Sequence, residues 1–229
     1  MCKDLHTLQL FLKKHVEKFP DYGSSCQFWS KLPKRFGEIQ MNKKRIIVGV
    51  SGASGVRMSL SLLKELNMAG CESYLIVTEG AKLTWGLECD EPIEELYALA
   101  DHVYSEQDYA AVIASGSYVT EGMIIIPCSM KSLAGIVSGY AENLLLRAAD
   151  VCLKENRKVV LVPREMPLGR IHLRNMSQAA EYGCSIVPPV LTFYNGANTM
   201  EDQIAHVVGK VLLQFGIESN SFRPWQETE

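Results

Sequence analysis

The sequence predicts an α/β domain built on a three-layer, doubly wound parallel sheet. Short runs rich in valine and isoleucine, apolar at nearly every position, are typical of strands that are buried on both faces. From residue 45 onward these runs alternate with helix-like stretches, which indicates successive strand–helix–strand units. The 229 residues, of which 47% are hydrophobic, are enough for one compact domain with a sizeable core.

Five segments have the composition of buried strands. They are residues 45–50, 73–77, 122–127, 158–163 and 184–188. Helices are predicted between them at 55–69, 143–155 and 200–215. In the first helix, Val56, Leu60, Leu63 and Leu66 recur at helical spacing and Gly70 ends it. These elements make residues 43–217 a single Rossmann- or flavodoxin-like domain, followed by a tail at 218–229.

The first 42 residues are predicted to form a partly helical extension. Leu5, Leu8 and Phe11 indicate a short amphipathic helix, and residues 1–40 carry a net charge of +3 against −6 for the remainder. The segment lacks the continuous apolar core and the small-residue cleavage site of a signal peptide. Two interpretations stay open: an oligomer-packing or docking arm, or an upstream extension before a natural start at Met41.

Composition excludes several classes of function. A net charge of −3 directs the chain neither to nucleic acid nor to a charged membrane, and no apolar run approaches the ~20 residues that span a bilayer. The seven cysteines include no C-x-x-C pair and no Cys/His cluster at zinc spacing, so no metal site is predicted. Their odd number predicts reduced, mostly buried thiols in a cytoplasmic protein.

Glycine, hydroxyl and charged residues follow the predicted strands. Ligands of open parallel sheets bind beyond the carboxyl ends of the strands, so a ligand site is predicted at this edge. The segments that follow the five strands are Ser51 to Gly55, Thr78-Glu79, Pro127 to Ser129, Arg164-Glu165 and Pro188-Pro189.

The segment GVSGASG, from Gly49 to Gly55, joins the first strand to the first helix. Its glycines permit a tight turn, and a helix N-terminus offers free N–H groups to a phosphate. An ordinary strand-to-helix turn is the alternative. The spacing differs from the Walker motif, which argues against an NTPase. A dinucleotide enzyme stays open, with Glu79 at the end of the second strand placed to hold a ribose hydroxyl.

The strand at 122–127 leads into a helix that begins with hydroxyl residues. Ser129 is predicted to cap this helix, and with Ser132 it can offer hydroxyl groups to a ligand. Capping alone would also explain Ser129. Cys128 has no histidine close in sequence to act as its base, so we expect this cysteine to pack rather than to react.

Three cations and one acid are further candidates. Arg147 and Lys154 lie seven residues apart on one helix face, about 10 Å from each other, which suits a doubly charged phosphate. Such charges also commonly form a solvated face. Arg164 can neutralise a phosphate, and Glu165 can move a proton if burial raises its pKa. A simple Arg–Glu pair on a loop is the alternative.

Seven short motifs follow one another along the chain: SGASG at 51–55, ASGS at 114–117, PCSMK at 127–131, LLRAADV at 145–151, LVPREMP at 161–167, IHL at 171–173 and FY at 193–194. Together these motifs resemble those of the UbiX-like flavin prenyltransferases, formerly described as aromatic acid decarboxylases or their small subunits. The resemblance runs from about residue 44 to residue 217, and the order and spacing of its motifs make it highly specific.

The resemblance implies transfer of a dimethylallyl group from dimethylallyl phosphate to reduced FMN, without a metal. The product, prenylated FMN, would serve a UbiD-type decarboxylase. It also implies a homo-oligomer, often a dodecamer, in which neighbouring subunits complete the site. The residues that would line the FMN site are Gly52, Ala53, Ser54, Thr78, Ser129, Met130, Lys131, Ser132 and Arg164. Those that would hold dimethylallyl phosphate are Arg147, Lys154, Tyr194, Lys210 and, as a weaker match, Trp225. The catalytic residues would be Ser54, Glu88, Lys154 and Glu165.

One residue departs from the family pattern: Lys210 stands where the family has arginine, which keeps the charge and loses bidentate phosphate binding. Heterolysis of an allylic phosphate needs cations and an aromatic pocket, and both are available in the sequence. Three alternatives remain. An FMN-dependent cysteine decarboxylase would need a histidine near the first helix and an Asn-rich signature, neither of which is present. The others are a non-catalytic flavin-carrying subunit and a nicotinamide oxidoreductase that uses Glu79.

Overall fold

The computed structural model describes residues 43–219, 221–223 and 225. The predicted N-terminal extension lies outside these residues. The described chain is built on a six-stranded sheet in which every neighbouring pair is parallel, in the order β3-β2-β1-β4-β5-β6. This is the strand order of a Rossmann sheet, and it confirms the predicted fold class.

Strands and helices alternate along the described residues. The strands are β1 (Arg45–Val50), β2 (Glu72–Val77), β3 (His102–Ser105), β4 (Gly122–Cys128), β5 (Lys158–Pro163) and β6 (Cys184–Ile186). The helices are α1 (Arg57–Met68), α2 (Glu79–Glu88), α3 (Ile93–Ala98), α4 (Met130–Ser138), α5 (Leu144–Lys154), α6 (Arg170–Glu181) and α7 (Met200–Leu213).

Two apolar layers cover the sheet. Alternate strand residues such as Ile46 and Val48 pack against α1, α2, α3 and α7 on one face. Their neighbours, such as Ile47, pack against α4, α5 and α6 on the other face. Because both faces are covered, the central strands are buried along almost their whole length, which explains their continuous apolar sequences.

The five predicted strands are confirmed, although the last ends at Ile186 rather than at 188. The sequence did not reveal β3, an edge strand whose His102, Val103 and Ser105 are exposed and which therefore lacks a buried-strand pattern. Helices α2, α3 and α6 were also missed. The prediction that Glu79 closes the second strand is wrong, because Thr78 caps α2 and Glu79 is the first residue of that helix.

The strand order reverses between β1 and β4, and a ligand crevice is expected at such a point. Hydrogen bonds join the two strand ends there. The Ser51 hydroxyl donates to the Pro127 carbonyl at 3.0 Å and accepts from the Ser129 amide at 2.8 Å. The loops after β1 and β4 therefore form one connected unit. None of the helices in residues 43–219 has the length and apolar character that a bilayer crossing requires.

Candidate functional site

Two glycines bring the loops after β1 and β2 into contact. A Cβ atom added to Gly52 would stand 2.8 Å from the backbone carbon of Gly80, closer than any real Cβ contact. Backbone, rather than a flexible side chain, is the obstacle. The approach therefore requires glycine at position 52, and it leaves main-chain atoms of both loops facing the crevice.

The N-terminus of α1 is already occupied by a carboxylate. Oε2 of Glu88 accepts the amide of Gly55 at 2.8 Å and that of Val56 at 3.3 Å. In the single chain, these two N–H groups at the start of α1 are therefore bound by a carboxylate, and the binding of a phosphate by the GVSGASG segment stays a prediction. Gly55, with φ +96°, has the left-handed conformation that makes the turn possible.

The N-terminus of α4 has a different character. The Ser129 side chain accepts from the Ser132 amide at 3.2 Å, so the predicted cap is confirmed. No acidic residue lies in the first turn of this helix, and the exposed Lys131 is 3.6 Å from its acidic neighbour Glu142. Hydroxyl groups, the helix dipole and a lysine together favour an anion at this end.

These loops and helix ends enclose a cavity of about 420 Å³ at the carboxyl edge of the sheet. Among the predicted FMN residues, its lining includes Gly52, Thr78, Ser129, Met130, Lys131 and Ser132. The candidate acid Glu165 also lines it. Six predicted cofactor residues from three separate segments thus meet in one cavity.

A second cavity, of about 310 Å³, is lined by the loop after β1 together with residues of α7 and of the segment after β6. Ser54, Glu88 and Arg164 line it. In the sequence, Ala53 stands between Gly52 of the first cavity and Ser54 of the second. The rest of its lining is largely apolar and consists of Gly55, Arg57, Met58, Pro189, Val190, Leu191, Met200, Gln203, Ile204 and Val207. The β1 loop thus contributes to both cavities, with Gly52 in the lining of the polar one and Ser54 in that of the apolar one.

Arg164 and Glu165 are both exposed and point to these cavities from the end of β5. The Arg–Glu pair considered as an alternative does not form among the described residues. Oε1 of Glu165 instead accepts the Met166 amide at 3.0 Å. Glu165 is exposed within one chain, so the burial on which its role in proton transfer was made conditional is absent there, and that role stays a prediction.

Tyr194 and Lys210 line a third cavity, of about 640 Å³, beside β6 and α7. The Trp225 ring packs edge-on against Tyr194, with the two ring centroids 4.9 Å apart. The Lys210 ammonium lies 5.4 Å from the centre of the Phe222 ring. These residues lie on the face of the sheet that α1 and α7 cover.

Arg147 and Lys154 lie elsewhere. Both belong to α5, which packs on the opposite face from α7. Arg147 bonds to Asp150 at 2.7 Å, and Lys154 is 3.4 Å from Glu155. Lys154 ends α5 just before β5 begins, whereas Glu165 follows the far end of that six-residue strand, roughly 20 Å away. One chain alone therefore does not bring the predicted phosphate residues together.

Three cysteines of the described residues, Cys128, Cys152 and Cys184, are buried in the core. Burial raises the pKa of the Cys128 thiol to about 12, and Cys128 is fully enclosed by the core beneath α4. Burial likewise raises the pKa of Cys152 and of Cys184 to about 11. A thiolate nucleophile is excluded at these positions, and the expectation that Cys128 packs is confirmed.

Two residues of the polar cavity were not singled out as ligand candidates from the sequence. Glu106 is 9% exposed and accepts the Glu79 amide and the Asn143 side-chain amide, each at 2.8 Å. Asn143 caps α5 through the Leu146 amide at 3.0 Å. Glu106 follows β3, the edge strand that the sequence did not reveal, so its place at the carboxyl edge was hidden as well.

The described residues fit FMN. The end of α4 suits its phosphate, the hydroxyl-lined cavity suits the ribityl chain, and the apolar cavity suits the ring system. Gly52 and Gly80, which approach each other so closely that an added Cβ would clash, both line the polar cavity. No group of three metal-ligating side chains occurs in the part of the chain that the structure describes.

The Flavoprotein family model matches residues 37–213. The chain is 59% identical over 186 residues to a probable UbiX-like flavin prenyltransferase of Sedimentibacter hydroxybenzoicus, a match that covers 81% of this chain and 98% of the relative. The chain belongs to the UbiX-like flavin prenyltransferases. This confirms the family indicated by the motifs.

Two solved structures of UbiX-like proteins have the same fold. AnUbiX (PadA1), in complex with FMN and dimethylallyl pyrophosphate, is 41% identical, has a TM-score of 0.80 and covers 82% of this chain and 100% of its own. A dodecameric FMN-dependent UbiX-like decarboxylase from Escherichia coli O157:H7 is 49% identical, has a TM-score of 0.78 and covers 80% of this chain and 100% of its own.

Proposed function

We propose that this chain transfers a dimethylallyl group from dimethylallyl phosphate to reduced FMN. The observation that carries the proposal is the pair of adjoining cavities at the carboxyl edge. The polar cavity faces the N-terminus of α4 and is lined by Glu165, among others. The apolar cavity is lined by Ser54, among others. Such a pair can hold a flavin by its phosphate and present its ring beside proton-transferring groups.

The FMN phosphate would bind at the N-terminus of α4, with the hydroxyls of Ser129 and Ser132 and the ammonium of Lys131. Arg164, at the mouth of the apolar cavity, would contact the flavin from the end of β5. When bound, reduced FMN supplies the nucleophilic ring atoms that accept the dimethylallyl carbon. The chain positions the flavin and keeps water away from it.

Proton transfer would fall to Ser54, Glu88 and Glu165. Glu88 is fixed by two backbone amides through one oxygen, so only its other oxygen would be free to act. Glu165, which is exposed in the single chain, would be covered by bound ligand and by a neighbouring copy, and would there serve as the general acid.

The substrate phosphate would be held by residues of two copies. Tyr194 and Lys210 of one chain would act together with Arg147 and Lys154 of a neighbour, because the two pairs lie on opposite faces of the sheet. The dodecameric relative supports such an assembly. Cations contributed by two subunits would stabilise the departing phosphate, and Trp225 would shield it from water.

Mixing two variants tests the shared site. Lys154→Ala and Glu165→Gln chains are each expected to be nearly inactive, and their co-assembled hybrids should regain about a quarter of wild-type activity, because random mixing restores that share of the sites. No recovery in hybrids confirmed by native mass spectrometry would place all the residues in one chain, contrary to the proposal.

Incubation of purified protein with reduced FMN and dimethylallyl phosphate tests the reaction itself. A flavin mass increased by one five-carbon unit supports the proposal. The diphosphate should be run in parallel, since the AnUbiX complex contains dimethylallyl pyrophosphate. Unchanged flavin would favour a carrier subunit, and hydride transfer from NADH would favour an oxidoreductase. Turnover that is abolished by EDTA and restored by magnesium would contradict the metal-free mechanism.

Two further parts of the proposal concern the cellular setting. We propose that a UbiD-type decarboxylase receives the prenylated FMN, and that the protein acts in the cytoplasm, where its isolated thiols remain reduced. Activation of a purified apo-decarboxylase by the reaction product would test the first point.

A further inference from the structure

Glu106 connects three elements around the polar cavity. Its Oε1 accepts the amide of Glu79, the first residue of α2, and its Oε2 accepts the Asn143 side chain, both at 2.8 Å. Its backbone carbonyl accepts the amide of Leu144, the first residue of α5, at 2.8 Å. A nearly buried carboxylate therefore stands inside the cavity that we assign to the flavin phosphate.

Internal carboxylates occupy two of the helix ends at this edge. Glu88 fills the N-terminus of α1, and Glu106 fills that of α2 and is tied to the start of α5 through Asn143. The α4 end, capped by Ser129, has hydroxyls and no acid in its first turn. Since helix ends are where anions bind, this leaves the phosphate one favourable end in the polar cavity.

A carboxylate and a phosphate in one cavity of about 420 Å³ repel each other. Salt screens such a repulsion only partly when the two charges lie within roughly one Debye length, about 8 Å. In a site that keeps its flavin permanently, this arrangement would only lower the affinity. In an enzyme that releases its flavin after every turnover, a weaker hold on the phosphate speeds the release step.

We propose that Glu106 is a positioning residue that confines the flavin phosphate to the α4 end and weakens its binding, so that the prenylated product leaves. The inference rests on the proposed function, in which flavin is a substrate. Its two parts make separate predictions: one about the affinity for phosphate-bearing flavin, and one about the rate of product release.

The Glu106→Gln variant removes the charge and keeps the size. We expect its FMN-to-riboflavin affinity ratio, measured by flavin fluorescence quenching, to rise about tenfold or more, because only FMN carries the repelled phosphate. Under single turnover the rate of adduct formation should stay near wild type. Under multiple turnover the steady-state rate should fall several-fold as release becomes limiting.

Two control variants separate charge from structure. Glu106→Asp keeps the charge and should keep the wild-type affinity ratio. Asp101→Asn removes a carboxylate that accepts the Ser73 amide at 2.8 Å at the other edge of the sheet, and should leave both flavin affinities unchanged. Thermal unfolding of each variant reports whether the fold survives.

Three results would overturn the proposal: an unchanged or lower affinity ratio in Glu106→Gln, an equal change in Glu106→Asp, or a steady-state rate that equals the wild-type rate. Failure of the proposed function looks different, because wild-type protein would then form no adduct. The binding ratio is measured without catalysis, so it tests the phosphate part of the inference in either case.

Discussion

The two edges of one sheet differ in how their polar groups are used. At the amino edge, charged and aromatic side chains bond to one another. Glu72 accepts from Arg45 at 3.1 Å and pairs with His102 at 3.0 Å, and the Arg45 guanidinium lies 5.0 Å from the centre of the Tyr118 ring. The Tyr74 and Tyr118 hydroxyls bond to each other as well. Because these side chains bond to one another, they offer few free polar groups to a ligand.

The carboxyl edge has the opposite arrangement. Arg164, Glu165 and Lys131 are exposed there, and hydroxyls at the α4 end face a cavity. The Glu106 carboxylate binds a backbone amide and lines that cavity, and the Glu88 carboxylate binds two backbone amides and lines the second cavity. Among the described residues, Arg164 and Glu165 form no ion pair, whereas Arg45, Glu72 and His102 at the amino edge pair with one another. The difference shows that the pairing of charged residues, rather than their number, distinguishes the edge that offers a ligand site.

The largest expected effect is at the carboxyl edge. Glu165→Gln should retain FMN and slow adduct formation on the order of 10²-fold or more, as expected when a general acid is lost. Single-turnover flavin mass analysis measures it, with FMN affinity as the control. Wild-type turnover in this variant would remove Glu165 from the mechanism.

The next largest effect is expected at Gly52, where the loops after β1 and β2 approach each other closely. Gly52→Ala forces backbone against backbone, so we expect a loss of about 1–3 kcal/mol in stability and clearly weaker FMN binding. Gly86→Ala is the matched control, because its added Cβ meets nothing within 4 Å, and it should be neutral or slightly stabilising. Equal behaviour of the two variants would contradict the close packing.

Substitutions at the amino edge should lower stability and leave activity unchanged. Burial raises the pKa of Glu72, but hydrogen bonds from His102, Tyr74 and Arg45 outweigh it and lower this pKa to about 2. The unfolded value is about 4.3, so the contribution is present above that pH and is lost as pH falls toward 2.

Glu72→Gln should therefore cost about 1 kcal/mol near neutral pH and less at pH 3. Denaturant unfolding at the two pH values measures this difference. Prenylation by the variant should match wild type. A large loss of activity in a folded variant would mean that the amino edge takes part in function.

The smallest expected effect is that of thiol alkylation. Because burial raises the pKa values of Cys128, Cys152 and Cys184 far above neutrality, iodoacetamide at neutral pH should leave prenylation unchanged. Inactivation that FMN prevents would point to a reactive cysteine in the site.

Much of the fold follows from the sequence because strands buried on both faces have an unmistakable composition. β3 was not predicted because it is an exposed edge strand, and α6 was not predicted because it buries only Asn175 and Ala179. Helices that cover little core have weak periodicity, so the sequence carries little signal for them.

The candidate site was predictable where it follows a buried strand, as for Gly52, Thr78 and Ser129. Glu106 was not, because its strand was not recognised. Nor could helical spacing show that Lys154 lies at the amino end of β5, since that depends on which way α5 crosses the sheet. The Glu88 contact joins residues 33 apart, which no local pattern encodes.

Hydrogen exchange with and without FMN tests the contrast between the edges most directly. We predict slower amide exchange at residues 52–55, 78–80 and 129–132 when FMN is added, and unchanged exchange at residues 72–74 and 116–120. Protection confined to the amino edge, or none at residues 129–132, would contradict the assignment of the flavin to the carboxyl edge.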